Sequence, residues 1–340
     1  MYSFRNRMIL SAEVSSPYDI NRFALSDDGA DELVEIHGPE GDTNLWGAME
    51  LRLRGSGYPT REAAIDAGRY WRDVITIAFA HYDRGIELGS GDTPDMPHYS
   101  YGRFELPTHK GRKMRDLPKL VAFPTDQEPD YGNWHMSFAP HPQAIEAIYA
   151  DSIAWIKKRK NWQLDDKQRL AYQFVHGSLF ESEPESVYIL LFTGIEALIP
   201  KALRKAEIVK VLGQLRSNLA TMTDLDESAR DSVNQLLQYK ENESIRYRGR
   251  NFVKILDDAL YEEELFAEKA PEQFFLDAYN TRNKLAHANV NRPAADELKE
   301  QIPELRRYLL ALLDISIFGE RVPDMWYGWP GDLLDDDGTP

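Results

Sequence analysis

The spacing of apolar and polar positions changes rhythm once along this chain, near residue 140. Before that point the apolar runs are short and punctuated by Gly, Pro and Asp. Gly47-Ala48-Met49-Glu50-Leu51-Arg52-Leu53-Arg54 alternates at period two, which predicts a half-buried strand, and Arg7 to Val14 is a second short run of strand character. Gly55-Ser56-Gly57-Tyr58-Pro59 predicts a turn. Thr60 then stands before Arg61-Glu62-Ala63 as an N-cap with an acidic first turn. Apolar residues recur at helical spacing through Ala67, Trp71, Val74, Ile75 and Ala78, so a helix of about 22 residues is predicted. Gly85 to Gly89 closes the strand–helix–strand unit of a small α+β domain. From Ser90 to Pro142 no period is sustained, and the segment reads either as a long functional loop or as the edge of the sheet.

Beyond Pro142 the three- and four-residue spacing of helices takes over. Predicted helices cover 144–160, 165–181, 186–203, 208–221, 227–239, 252–260, 272–289 and 294–318, joined by short links. Eight helices in succession make an all-α bundle. The expected organisation is therefore an α+β domain over 1–141, a helical domain over 142–322 and an acidic tail over 323–340. The tail holds Asp332, Asp335, Asp336 and Asp337 and reads as a solvated end.

Composition narrows the chemistry. The 340 residues include no cysteine, which removes disulfides, thiolate nucleophiles and cysteine-ligated zinc and fits a reducing, cytoplasmic setting. The longest apolar stretch, Val187 to Leu198, carries Glu196 and is too short to span a bilayer. The net charge of -16 works against nucleic acid except at a local basic patch. His98, His109, His135 and His141 lack paired ligand spacing, so no metal site is predicted. Gly55-Ser56-Gly57 lacks the Gly-Lys of a phosphate loop, and no Gly-x-Ser-x-Gly elbow is present.

The most pointed chemistry is Arg282-Asn283-Lys284-Leu285-Ala286-His287, inside the penultimate predicted helix. Asn283 and His287 fall one turn apart on nearly one face, with Arg282 on its flank, so a permanent cation, an amide and an imidazole can converge on one anion. This motif, and the apolar helix Tyr188 to Ile199 with its Glu196-Ala197-Leu198 ending, resembles the HEPN superfamily of helical domains. The resemblance covers about residues 145–320.

That resemblance implies a metal-independent endoribonuclease without cofactor, working as a homodimer whose two motifs share one cleft. Arg282, Asn283 and His287 would be its catalytic residues, and the RNA would be tRNA, rRNA or mRNA. Proteins of this kind serve as toxins or anti-phage effectors, which implies a trigger or restraint, a role available to the N-terminal domain. The side chains suit cleavage by 2′-OH attack to a 2′,3′-cyclic phosphate. Glu196 is a candidate partner of Arg282, or else a surface carboxylate. Arg246, Arg248, Arg250 and Lys254, interleaved with Tyr247 and Phe252, form a candidate RNA-binding cluster, or else a solvated loop. Arg282 and His287 near a helix C-terminus could also serve only its dipole. The rival reading is a non-catalytic module that binds RNA or nucleotide, or dimerises, with an N-terminal domain that recognises a partner.

Overall fold

The computed structural model describes residues 1–15, 20–26, 32–38, 45, 47–89, 114–115, 118–127, 131–132, 143–144, 152–159, 162–222, 224–259, 265–286 and 292–322. The chain is α+β, with a mainly antiparallel N-terminal sheet followed by helices. Its two compact units are Met1–Ser182, with Arg321 and Val322, and Glu183–Glu320. Among the described residues no helix is long and apolar enough to cross a membrane. The acidic tail predicted over 323–340 lies outside them.

The sheet is organised on β1 (Tyr2–Ser15), whose length lets several short strands share its edges. β4 (Ala48–Tyr58) runs antiparallel along one edge, and beyond it come β3 (Leu33–His37) and β2 (Arg22–Ala24). Along the other edge lie β7 (Leu120–Pro124), β5 (Ile86–Glu87) and, in parallel, β9 (Gln143–Ala144). A separate parallel pair joins β6 (Met114–Arg115) to β8 (Tyr131–Gly132). β7 shows that part of the aperiodic segment is sheet edge. β9 begins where the sequence predicts a helix over 144–160; the described helical residues there are Ser152 and Ile153, in π conformation, and the short α2 (Ala154–Lys157).

The turn predicted at 55–59 is instead the end of β4. Gly55 stands opposite Phe4, and a Cβ there would lie 2.1 Å from the Phe4 ring, so this glycine serves close packing. Phe4, Met8 and Leu10 alternate inward along β1 and are buried with Leu51 and Leu53 of β4. Helix α1 (Arg61–His81) covers them with Ala64, Trp71, Val74, Ile75 and Ala78. Its N-cap is Thr60, whose hydroxyl accepts the Ala63 N–H at 3.1 Å.

The division between units falls at Ser182, later than the change of pattern at 141/142, because α3 (Asp166–Phe180) packs on α1. Two polar ties explain the attachment. Arg169 donates to both Asp73 oxygens at 3.2 and 2.9 Å, and buried His176 bridges α1 and β5. His176 Nδ1 accepts the Ile86 N–H at 3.3 Å, so Nε2 carries the proton donated to the Thr76 carbonyl at 3.0 Å. Burial holds this imidazole neutral, with its pKa lowered to about 4 against the weaker upward pull of its backbone contacts. Because the folded pKa lies below the ordinary imidazole value of 6.5, the unfolded chain binds the extra proton. The contribution is intact above pH 6.5 and is lost as pH falls toward 4. A thermal unfolding series over this window should show melting temperature falling with acid, and the fall should be shallower in His176→Gln.

The named elements of the second unit are all helices among the described residues. Pro184 at the first position opens α4 (Pro184–Leu198), and α10 (Ala295–Phe318) lies against it. α9 (Pro271–Ala286) packs on α4, on α7 (Ile245–Phe252) and on α8 (Lys254–Ala259). Leu191, Phe192, Ile195, Phe275, Leu309 and Leu312 form the core, with Phe192 stacked on Phe275 at 5.9 Å. α5 (Ala206–Thr221) and α6 (Glu227–Lys240) pair with one another. They leave Ile208, Val211, Leu215, Val233 and Leu236 exposed.

Candidate functional site

Arg282 and Asn283 lie in the last turn and a half of α9, whose apolar face is anchored by Phe274, Phe275, Ala278 and Leu285. That anchoring turns their heads toward the end of α4, where Glu196 sits in the last turn. A carboxylate at a helix C-terminus is disfavoured by the dipole, so Glu196 needs a compensating cation. Arg282 supplies it, donating from Nη2 to the Glu196 carboxylate at 3.0 Å. Of the two readings of Glu196, the structure selects the Arg282 partner. The pair is mostly shielded, with 27% of the Arg282 and 16% of the Glu196 side chain exposed. Burial raises the Glu196 pKa and the Arg282 charge draws it part of the way back.

Arg282 also donates from Nη1 to the Asn283 side-chain oxygen at 3.3 Å. This aligns the amide, whose NH₂ group is a donor suited to an anionic acceptor. Nor is Arg282 the cap of its own helix. The Leu285 carbonyl in the last turn instead takes a hydrogen bond from Arg292 at 3.0 Å. His287 lies outside the described residues, one position beyond the end of α9.

These groups open onto a cleft of about 700 Å³. Its far wall is a knot of backbone between α4 and α5 and between α6 and α7. Leu203 bridges Asn242, Arg204 N–H reaches the Glu241 carbonyl at 2.8 Å, and Glu243 N–H reaches the Ala202 carbonyl at 2.9 Å. Arg248 locks the knot, donating to the Pro200 carbonyl at 2.8 Å and the Glu243 carbonyl at 3.1 Å. The Arg204 side chain donates to the Asn242 carbonyl at 3.2 Å. Lys201, Arg204, Lys240, Arg248 and Arg282 line the cleft against two carboxylates, Glu196 and Glu243, with Tyr239 and Tyr279 beside them. A chain of net charge -16 thus carries a local cationic concavity.

Of the cluster predicted from Arg246, Arg248, Arg250 and Lys254, Arg248 is the member that joins this cleft. These arginines belong to α7, capped by Ser244, so successive ones fall on different faces rather than on a loop. Arg248 lines the cleft, exposed Arg250 pairs with Glu272, and Arg246 and Lys254 are exposed away from the lining. The cations that do join Arg282, namely Lys201, Arg204 and Lys240, went unread in the sequence. Lys201 and Arg204 lie in the link between α4 and α5 and Lys240 ends α6, so no local spacing ties them to Arg282. His98, His109, His135 and His141 lie outside the described residues. No known protein family, curated protein or solved structure matches this chain.

Proposed function

We propose that the helical unit is an endoribonuclease of HEPN type, and that the cleft at Arg282 holds the scissile phosphodiester. The observation that carries this reading is the convergence of Arg282 and Asn283, braced by Glu196, on a concavity with four further cations. Lys201, Arg204 and Arg248 attract the phosphates, and Tyr279 offers a ring to a base. Arg282 neutralises the negative charge that grows on the non-bridging oxygens as the ribose 2′-oxygen attacks phosphorus. The imidazole of His287 accepts the 2′-OH proton or returns one to the departing 5′-oxygen. One imidazole does not easily reach both sides of the phosphorus, so a homodimer divides these steps between two copies. The exposed apolar residues of α5 and α6 offer surface for such a dimer. A toxin or defence role, in the cytoplasm and under restraint, belongs to the same proposal.

The test is incubation with total cellular RNA in EDTA, followed by end-group analysis and sedimentation in the same buffer. Wild type should sediment as a dimer and leave 2′,3′-cyclic phosphate and 5′-OH ends, and His287→Ala should leave RNA intact. Equal turnover by both proteins, or by neither, would discard the mechanism. If His287→Ala binds RNA as wild type does and neither cuts it, the non-catalytic binding module is the correct reading.

A further inference from the structure

α5 and α6 form a hairpin whose principal packing is with one another. Helices of this length owe their stability mainly to an apolar face buried in tertiary contact. Here that burial is nearly absent among the described residues. Leu219 is the one buried side chain of α5, and α6 has none. Part of what joins the two is polar, since Arg216 donates to the Asn234 side-chain oxygen at 2.9 Å and to the Glu241 carboxylate at 3.0 Å.

Apolar side chains are present but turn outward. Ile208, Val211 and Leu215 of α5, with Met222 at its cap, follow at intervals of three, four and seven, which keeps them on one stripe. Val233 and Leu236, three apart, continue it on α6. All six are 39–55% exposed. At about 100° per residue, both stripes stand a quarter-turn or more from the Arg216–Asn234 contact, on the same side of the hairpin.

Two helices side by side, each about 10 Å across, over the 16 residues of α5 present a face of about 500 Å² in projection. Followed over the side chains, this approaches the about 800 Å² that each partner gives to a standard interface.

Charge selects the occupant. Asp224, Asp226, Glu227 and Asp231 crowd the tip where α5 turns into α6, and the cation there, Arg230, is engaged by the Met222 and Leu225 carbonyls. The base holds Lys201, Arg204, Lys205, Lys210 and Lys240 against Glu207 and Glu243, Glu241 being paired with Arg216. The hairpin therefore runs from negative at its tip to positive at its base. A second hairpin laid antiparallel on the same face puts each acidic tip on the other's basic base, whereas a parallel one puts like on like.

We propose that the hairpin is a homodimerisation element, in which two copies pack their α5–α6 faces antiparallel into a four-helix bundle about a two-fold axis near Leu215. This gives the proposed ribonuclease dimer its surface, yet it stands on the hairpin alone. A dimer that cuts no RNA discards the enzyme and keeps the interface, and a monomer that cuts RNA does the reverse.

Sedimentation of the full-length protein at about 10–100 µM tests it. Wild type should be a dimer, and Leu215→Glu with Leu236→Glu, on exposed positions, should be monomeric. Asp224→Lys with Asp231→Lys, or Lys205→Glu with Lys210→Glu, should weaken the dimer about tenfold or more, and all four in one chain should restore it. Because the chain has no cysteine, a single introduced thiol reports the register. Leu215→Cys should cross-link to its own copy. Ile208→Cys, about 20 Å from its own copy across the axis, should not, but should cross-link to Met222→Cys in a mixture. A wild-type monomer at about 100 µM would overturn the proposal and leave the face to another part of the chain or another protein. So would a dimer untouched by the two glutamates, or Ile208→Cys that cross-links to itself.

Discussion

On the proposed ribonuclease mechanism, Arg282→Ala is expected to cut RNA about 10²–10³-fold more slowly than wild type, the loss typical of removing one group that stabilises a transition-state oxyanion. The same substitution has a structural consequence that must be separated from the catalytic one. Glu196 is largely buried, its pKa is raised by that burial, and Arg282 is what draws it back. Without the guanidinium the carboxylate pays its desolvation alone, at a cost of about 1–3 kcal/mol when charged. A raised folded-state pKa means that the folded state holds the proton more tightly than the unfolded chain does. The variant should therefore be most stable in acid and lose stability as pH rises above the ordinary glutamate value of 4.5.

Glu196→Gln added to Arg282→Ala removes the lone charge and should flatten this pH dependence, restoring melting temperature near neutrality. It should not restore cleavage. If the double variant regains activity together with stability, Arg282 is only a strut for Glu196 and the catalytic assignment fails. Arg282→Lys adds a second discrimination, since it keeps the charge but lacks the planar fork that contacts Glu196 and Asn283 together.

The elements with sustained periodicity were readable in the sequence, and the reason is physical. α1, α3, α4 and α10 each bury a continuous apolar stripe, and the Thr60 and Asp165 caps mark where two of them start. Arg282 and Asn283 were legible because both lie on one such helix. The Glu196 pairing could only be offered as one of two options, since it joins positions 86 residues apart. α7 was missed for the opposite reason. It spans only Ile245 to Phe252, carries three arginines, and buries Gly249 rather than an apolar side chain. β7, five residues from Leu120 to Pro124, was lost within a Pro- and Gly-rich segment. The allegiance of α3 was hidden because its tie to α1 is a polar pair, Asp73 with Arg169, which leaves no mark in hydropathy.

Gly249→Ala is the substitution expected to disturb the helical unit most for its size. The added methyl would lie 2.0 Å from Cζ of Phe275 and within 2.8 Å of two more atoms of that ring, closer than carbon atoms can pack. The ring has little room to yield, because Phe275 is fully buried and stacks on Phe192 at 5.9 Å. Two effects oppose one another. Alanine gains about 1 kcal/mol over glycine in a helix, and overpacking a rigid core costs about 1–3 kcal/mol. An overlap of this depth against an immobile ring sits at the upper end of that cost, so the net sign is destabilising, by about 2 kcal/mol. Gly213→Ala in α5 is the control, since a Cβ there meets nothing within 4 Å and only the helix gain remains. Thermal unfolding should move in opposite directions for the two variants, and Gly249→Ala combined with Phe275→Leu should recover part of the loss. The effect also reaches the cleft, because α7 carries Arg248, and that residue closes the knot through the Pro200 and Glu243 carbonyls. Weaker RNA binding by Gly249→Ala, restored in the double variant, is the expected companion result. A Gly249→Ala protein as stable as wild type would mean that α7 and α9 are not in the close contact described here.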